Sequence, residues 1–294
     1  MDAPEVWLVT GGGRGLGRAI VVAALERGHT VVATARAEHS LPAHERLTVR
    51  ALDVRDRGAT REAVRNVAEQ FGRLDVLVNN AGYGLVGAVE EVSEEDARAI
   101  LDTDLLGALW ASQAAVEVMR PQGSGEIVQI STTGAVGAMP TLGLYNAAKW
   151  GLEGFSAAMA AEVARFGIRV TIVEPGSLDT DWAGSSMRFA SPVPAYDEVR
   201  SELFGTAEVP WPAPDATAGT EAALDEPADS GGDAEADAAS VTSPATAAAA
   251  ILAHLADPSD TRLRLLVGDD APGQVAAALE ARLTDYRRDP RFPL

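Results

Sequence analysis

The residues best suited to moving a proton are Tyr145 and Lys149, in the run Tyr145-Asn146-Ala147-Ala148-Lys149. An i, i+4 spacing on a helix sets the phenol and the ammonium on one face. A phenol titrates near ~10 and exchanges protons poorly at neutral pH; a neighbouring cation favours the phenolate and draws that value toward the working range. Lys149 is the only lysine among the 24 Lys and Arg residues. A compact ammonium in a chain that otherwise uses the planar guanidinium marks a position with its own chemistry. Taken alone, the same spacing also describes an ordinary helix surface.

A second group of residues suits a phosphate. The run Val6-Trp7-Leu8-Val9-Thr10-Gly11-Gly12-Gly13-Arg14-Gly15-Leu16-Gly17-Arg18 reads as a strand, a glycine turn and the start of a helix. Glycines allow close backbone approach to a pyrophosphate, and a helix N-terminus favours its negative charge. Thr10, Gly11, Gly13, Arg14, Gly15, Leu16 and Gly17 are therefore candidate dinucleotide contacts. At the end of the next strand, Val32-Ala33-Thr34-Ala35-Arg36 has an arginine and no acid before Glu38. A carboxylate there would bind the ribose diol of NAD, whereas Arg36 together with Arg14 suits a 2′-phosphate, which points to NADP(H). Asp53-Val54 and Asn79-Asn80-Ala81-Gly82 follow later strands, at the carboxyl ends where open α/β sheets bind ligands.

The elements that must position these residues alternate between short β-branched runs and helical patterns, the signature of βαβ units and a parallel sheet. Strands are expected at Glu5–Thr10, Thr30–Ala35, Thr48–Leu52, Val76–Asn79, Glu126–Ile130, Arg169–Val173 and Leu263–Val267. Helices are expected at Leu16–Arg27, Ala59–Phe71, Glu94–Met119, Tyr145–Arg165, Pro244–Leu255 and Pro272–Tyr286. The expectation is a single α/β domain of the Rossmann type spanning residues 1–294, doubly wound about a sheet of about seven parallel strands. Thr206–Ser243 breaks the rhythm, being rich in Ala, Pro, Asp and Glu with almost no large apolar residue after Trp211. Such a composition buries too little surface to offset the entropy of ordering, so it reads as a flexible acidic insert.

Composition narrows the remaining possibilities. With 47% hydrophobic residues the chain can bury a large core, and with no cysteine it has neither disulfides nor thiolate chemistry. Its four histidines, His29, His39, His44 and His254, lack metal-ligand spacing, so no metal is expected. A net charge of -19 argues against nucleic acid and anionic membrane surfaces. No apolar run reaches membrane-span length, and the start of the chain lacks a basic, signal-like region, so a cytoplasmic protein is expected.

Assembled in order, these motifs resemble the classical short-chain dehydrogenases/reductases. The resemblance rests on Thr10-Gly11-x-x-x-Gly15-x-Gly17, Asp53, Asn79-Asn80-Ala81-Gly82, Tyr145-x-x-x-Lys149, and Pro175-Gly176 followed by Thr180. It implies hydride transfer between a nicotinamide and a carbonyl or alcohol carbon, with Tyr145 as acid/base and Lys149 lowering its pKa and binding the ribose. It further implies that Asp53 contacts adenine, that Thr180 contacts the carboxamide, and that a hydroxyl thirteen residues before the tyrosine holds the substrate oxygen. That hydroxyl is Thr132 in Ile130-Ser131-Thr132-Thr133-Gly134; alternation along a strand sends neighbouring Ser131 to the other face. A departure lies at Asp104-Leu105-Leu106-Gly107, where the family usually has asparagine. Three outcomes stay open there: the family's proton relay persists through the backbone, the helix kink is altered, or Asp104 holds Lys149 charged.

Trp182, Met187, Phe189, Val193, Tyr196 and Leu203 follow Thr180 and suggest an apolar cover over a small-molecule carbonyl or alcohol substrate. The expected activity is NADP(H)-dependent reduction of a ketone or oxidation of a secondary alcohol. A non-catalytic NADP(H) sensor or scaffold is the alternative, suggested by Asp104, Thr132 and the insert. Surplus apolar positions such as Leu109, Trp110, Phe155 and Met159, together with the resemblance, lead to a homodimer or homotetramer.

Overall fold

Short runs buried on both faces become the central strands. All four residues of β1 (Val6–Val9) are buried, as are those of β4 (Val76–Asn79). The computed structural model describes residues 4–36, 39–179, 187–209 and 241–293. Within them β2 (Thr30–Ala35), β3 (Leu47–Ala51), β6 (Gly125–Ile130), β7 (Ile168–Pro175) and β9 (Arg264–Val267) complete a seven-stranded sheet ordered β3-β2-β1-β4-β6-β7-β9. Every pairing in it is parallel.

Alternation along β1 feeds two cores. Trp7 and Val9 join Ile20, Val21 and Leu25 of α1 (Gly15–Glu26) and Ile251 and Leu252 of α7 (Pro244–Ala256). Val6 and Leu8 face α2 (Arg57–Phe71), α4 (Gly107–Gln122) and α5 (Gly143–Val163) through Val64, Val67, Ala111, Met119 and Val163. The sheet is thus covered by helices on both sides, the doubly wound arrangement expected from the sequence. Local signals set the helix ends: Asp56 accepts from the Ala59 amide at 2.9 Å, and Ser243 accepts from the Thr246 amide at 3.1 Å ahead of Pro244. Strand order reverses between β1 and β4, which opens a crevice at their carboxyl ends.

Two features differ from the sequence expectation. The single helix expected over Glu94–Met119 is α3 (Glu94–Leu101), a π-helical turn at Asp102–Leu106, and α4. The widened turn carries buried Asp104 inward, where its carboxylate accepts from the Tyr83 amide at 3.2 Å. Such turns concentrate at functional sites. A second, two-stranded parallel sheet pairs β5 (Gly84–Val86) with β8 (Met187–Phe189). Three-residue strands leave no readable period, which is why the sequence was silent on them.

The acidic stretch read as Thr206–Ser243 is described only at its two ends. Residues 210–240 lie outside the described residues, but both flanks are engaged. The Ala207 carbonyl accepts from Arg200 at 3.2 Å, and the Thr242 carbonyl accepts from the Asp179 amide at 2.9 Å. The remaining α-helices among the described residues are α6 (Asp197–Phe204) and α8 (Ala271–Tyr286). No helix among the described residues is long and apolar enough to cross a membrane.

Candidate active site

A cavity of about 390 Å³ opens at the crevice between β1 and β4. Gly11, Gly13, Arg14, Gly15, Leu16 and Gly17 form one wall, Arg36, Asp53 and Val54 a second, and Asn80, Ala81 and Gly82 the floor. Pro175 and Gly176 close the far side with Leu178, and Thr132, Tyr145, Lys149 and Asp104 lie at the inner end. Thr180 and Trp182 lie outside the described residues.

The loop wall suits a dinucleotide. Gly11 adopts φ of +63°, and a Cβ there would lie 2.8 Å from the Ala81 Cα, so the turn packs directly on the β4 end. Arg14 occupies the N-cap of α1 and supplies no side-chain acceptor, which leaves the first-turn amides available to a ligand's oxygens. The donor set of amides plus Arg14 and Arg36 fits phosphate groups.

Several motif residues hold this wall together. The Thr10 hydroxyl accepts from the Asn80 and Ala81 amides, each at 3.1 Å. The Asn80 side chain donates to the carbonyls of Thr10 and Gly11 at 3.1 and 2.9 Å. The Asn79 side chain donates to Ser112 Oγ at 2.9 Å and to Gln129 Oε1 at 3.0 Å, inside the core. Asp53 reaches the wall, yet both its oxygens accept from Arg55 at 3.0 Å or less. That hydrogen-bonded pairing holds the Asp53 carboxyl below the usual carboxylate range, with a smaller contribution from the Arg36 charge.

The inner end carries the acid–base groups. Lys149 donates to the Ile130 carbonyl at 3.0 Å and lies 3.4 Å from Asp104 Oδ2, with both side chains buried. Gly82 makes this possible, because a Cβ there would sit 2.7 Å from the same carboxylate oxygen. Burial pushes the Asp104 carboxyl up to about 6, against the pull of the Lys149 charge and the Tyr83 amide. Burial also raises the Tyr145 phenol above its ordinary value, and the Asp104 charge adds to that; a hydrogen bond with Thr132 acts the other way. Asp104 thus sits at a widened helical turn, with its carboxylate 3.4 Å from Lys149 Nζ.

Thr132 and Ser131 face different partners. Ser131 donates to Glu153 Oε1 at 2.7 Å in the interior, whereas Thr132 bonds Tyr145 and accepts from the Gly134 amide at 3.2 Å. Glu153 is a residue that the sequence reading missed, although it lies one more i+4 step beyond Tyr145 and Lys149 on the same helix. It shares Arg264, 3.3 Å away, with buried Glu174 at 3.1 Å; burial and the Glu153 charge push the Glu174 carboxyl up to about 7. Tyr83, another lining residue, had no signal in spacing or composition.

A family model for short chain dehydrogenases matches residues 5–189. Oxidoreductase BOA17 of Botryotinia fuckeliana is 42% identical over 207 residues, covering 68% of this chain and 74% of that protein. The 3-ketodihydrosphingosine reductase of Bacteroides thetaiotaomicron is 36% identical over 177 residues, covering 60% of this chain and 65% of its own. Among solved structures, a short-chain dehydrogenase from Streptomyces avermitilis superposes with a TM-score of 0.80 at 33% identity, covering 99% of this chain and 98% of that one. The chain belongs to the classical short-chain dehydrogenase/reductase family and is an oxidoreductase of that family.

Proposed function

We propose that this protein is a cytoplasmic NADP(H)-dependent reductase of a fairly apolar ketone, with the secondary alcohol as product. The convergence of Tyr145, Thr132 and Lys149 in the cleft that the glycine loop also lines carries this reading. When bound, the nicotinamide supplies the hydride that reaches the carbonyl carbon. Tyr145 donates its phenolic proton to the carbonyl oxygen, and the Thr132 hydroxyl holds that oxygen in place. Burial and the Asp104 charge keep the phenol protonated at neutral pH but weaken it as an acid, and the hydrogen bond with Thr132 opposes that shift. Lys149, anchored by the Ile130 carbonyl and Asp104, presents its remaining donor capacity toward a ribose hydroxyl. The apolar cluster of Tyr83, Leu85, Leu142 and Tyr145, with Met187, Phe189 and Phe204 against it, supports an apolar substrate. The similar Bacteroides protein, named a 3-ketodihydrosphingosine reductase, supports reduction of a ketone.

The second reading, a cofactor-binding sensor or scaffold without turnover, draws on the Asp104–Lys149 pairing, which engages the lysine before any ligand arrives. NADPH oxidation followed with a panel of ketones and quinones separates the two. Turnover with any of them supports the reductase, and none across the panel, with NADPH still bound, supports the sensor.

Cofactor preference gives a separate expectation. NADPH should bind more tightly than NADH, because Arg14 and Arg36 both line the cavity where a 2′-phosphate would lie. Fluorescence titration measures both constants, and Arg36→Asp should shift preference toward NADH. Equal or tighter NADH binding in the parent protein would remove the argument from the two arginines.

We also propose a homodimer or homotetramer paired through α4 and α5. Leu109, Trp110, Phe155 and Met159 are half-buried in the single chain, and Trp150 on α5 is 44% exposed. Light scattering at micromolar concentration should give a mass of two or four chains; a monomer refutes the assembly.

A further inference from the structure

Away from the acid–base groups, an arginine and a glutamate are buried as completely as any core side chain. Arg200 of α6 and Glu91, in the 3-10 turn Val89–Glu91 between β5 and α3, have side chains 2% and 1% exposed and approach to 2.6 Å. They are 109 residues apart in sequence. One Glu91 oxygen also accepts from the Val193 amide at 2.7 Å, while the other accepts from the Ala88 amide at 2.7 Å. A single carboxylate therefore bridges its own loop and the segment that follows β8. Arg200 uses its remaining donors on that same segment, reaching the Val193 carbonyl at 3.0 Å, the Ala207 carbonyl at 3.2 Å and Asp197.

We propose that the Glu91–Arg200 pair is a positioning latch, holding residues 187–207 against the rim of the substrate end of the cleft and thereby setting substrate affinity. The inference rests on the reading of that cleft as a carbonyl-reductase site. Met187, Phe189 and Phe204 of the held segment pack on the cluster that contains Tyr145, Tyr83 and Leu142. Apart from the latch, the ties on the segment include the three-residue β5–β8 ladder, the Ala190 amide on the Val86 carbonyl at 2.8 Å, the Arg188 guanidinium 4.9 Å from the centre of the Tyr83 ring, and an exposed Tyr196–Glu90 bond. Such a unit, with few buried contacts of its own, belongs to the low-stability end of a structure.

Charge rather than grease at this point has a physical consequence. Buried ion pairs give little net stability over apolar residues of the same volume, but they tolerate one geometry only. Here each guanidinium nitrogen of Arg200 and both oxygens of Glu91 are bonded in a single register of the segment. Gly87 permits that register, since a Cβ there would lie 2.5 Å from the Ala190 Cβ. Burial pushes the Glu91 carboxyl upward, but the two amides and the guanidinium outweigh it and hold the group below the usual carboxylate range.

The test compares the full-length protein with Arg200→Met, Arg200→Lys and Glu91→Gln, the last retaining acceptor and shape if the methionine variant folds poorly. In Arg200→Met and Glu91→Gln, amide exchange at Ala190 and Val193 should quicken by about tenfold or more, while Val78 and Val128 in the sheet keep their protection. With acetophenone as the probe ketone, KM should rise by about tenfold and kcat change by less than about threefold. NADPH affinity should stay at its wild-type value, and Arg200→Lys should fall between wild type and Arg200→Met. Unchanged exchange at Ala190 and Val193 overturns the latch. So does a loss of protection that spreads equally through the sheet, because that marks a merely structural pair. An unaltered KM despite a loosened segment overturns its role in affinity. If the wild type turns over no ketone, the reductase reading fails, and the exchange comparison alone still decides whether the pair is a latch.

Discussion

Tyr145→Phe should fold, bind NADPH with unchanged affinity, and lose at least ~10²-fold in turnover, the usual cost of removing a general acid. The ring of Tyr145 is buried in the cluster with Leu85, Val86, Ile100 and Leu142, and phenylalanine keeps that packing. What disappears is the hydroxyl bonded to Thr132 and the proton it carries. Companion variants separate this role from bulk effects. Thr132→Ser retains a hydroxyl and should be tolerated, whereas Thr132→Val should not. Lys149→Arg keeps the charge but cannot reproduce the short bond to the Ile130 carbonyl beside Asp104, and should also fail. Stopped-flow or steady-state NADPH oxidation, with cofactor binding measured in parallel, checks the set. Near wild-type turnover in Tyr145→Phe would mean that some other group delivers the proton.

Asp104→Asn should behave in the opposite sense and should do so only on one side of pH 6. The Asp104 carboxyl is pushed up to about 6 by burial, so the wild-type group is mostly neutral below that pH and charged above it. In its neutral form it resembles asparagine. In its charged form it pairs with Lys149 and raises the Tyr145 phenol. The ratio of variant to wild-type turnover should therefore stay near unity at low pH and rise across pH 6, by about three- to tenfold, the equivalent of half to one pKa unit.

Stability has a matching signature. A carboxyl whose folded value is raised from 3.8 to about 6 contributes stability that is complete below 3.8 and is lost as pH rises through 6. That loss, on the order of 1–3 kcal/mol, should vanish from the pH dependence of Asp104→Asn unfolding. A fall in activity at every pH would show that the Asp104 charge is required for turnover, as an electrostatic partner for Lys149.

Local rules carried much of the fold and the site. Buried apolar runs alternating with amphipathic stretches specify a doubly wound parallel sheet, because both sheet faces must be covered. The glycine turn between β1 and α1 and the Tyr145–Lys149 spacing are likewise local. A strand-to-helix turn and one turn of helix set their own geometry wherever they occur. Seven strands and most helices therefore lie within a few residues of where the sequence alone places them.

Tertiary structure alone decided the rest. Asp104 meets Lys149, 45 residues on in the chain, only because a π-helical turn widens the helix and Gly82 leaves room for the carboxylate. The one-residue difference between Ser131 and Thr132 became two distinct environments once Glu153 arrived beneath the first and Tyr145 beside the second. Nothing in spacing or composition singles out Glu91 and Arg200, and folding buries them face to face. A side chain's ionisation and partners depend on which distant groups exclude water from it, and spacing along the chain carries no record of that.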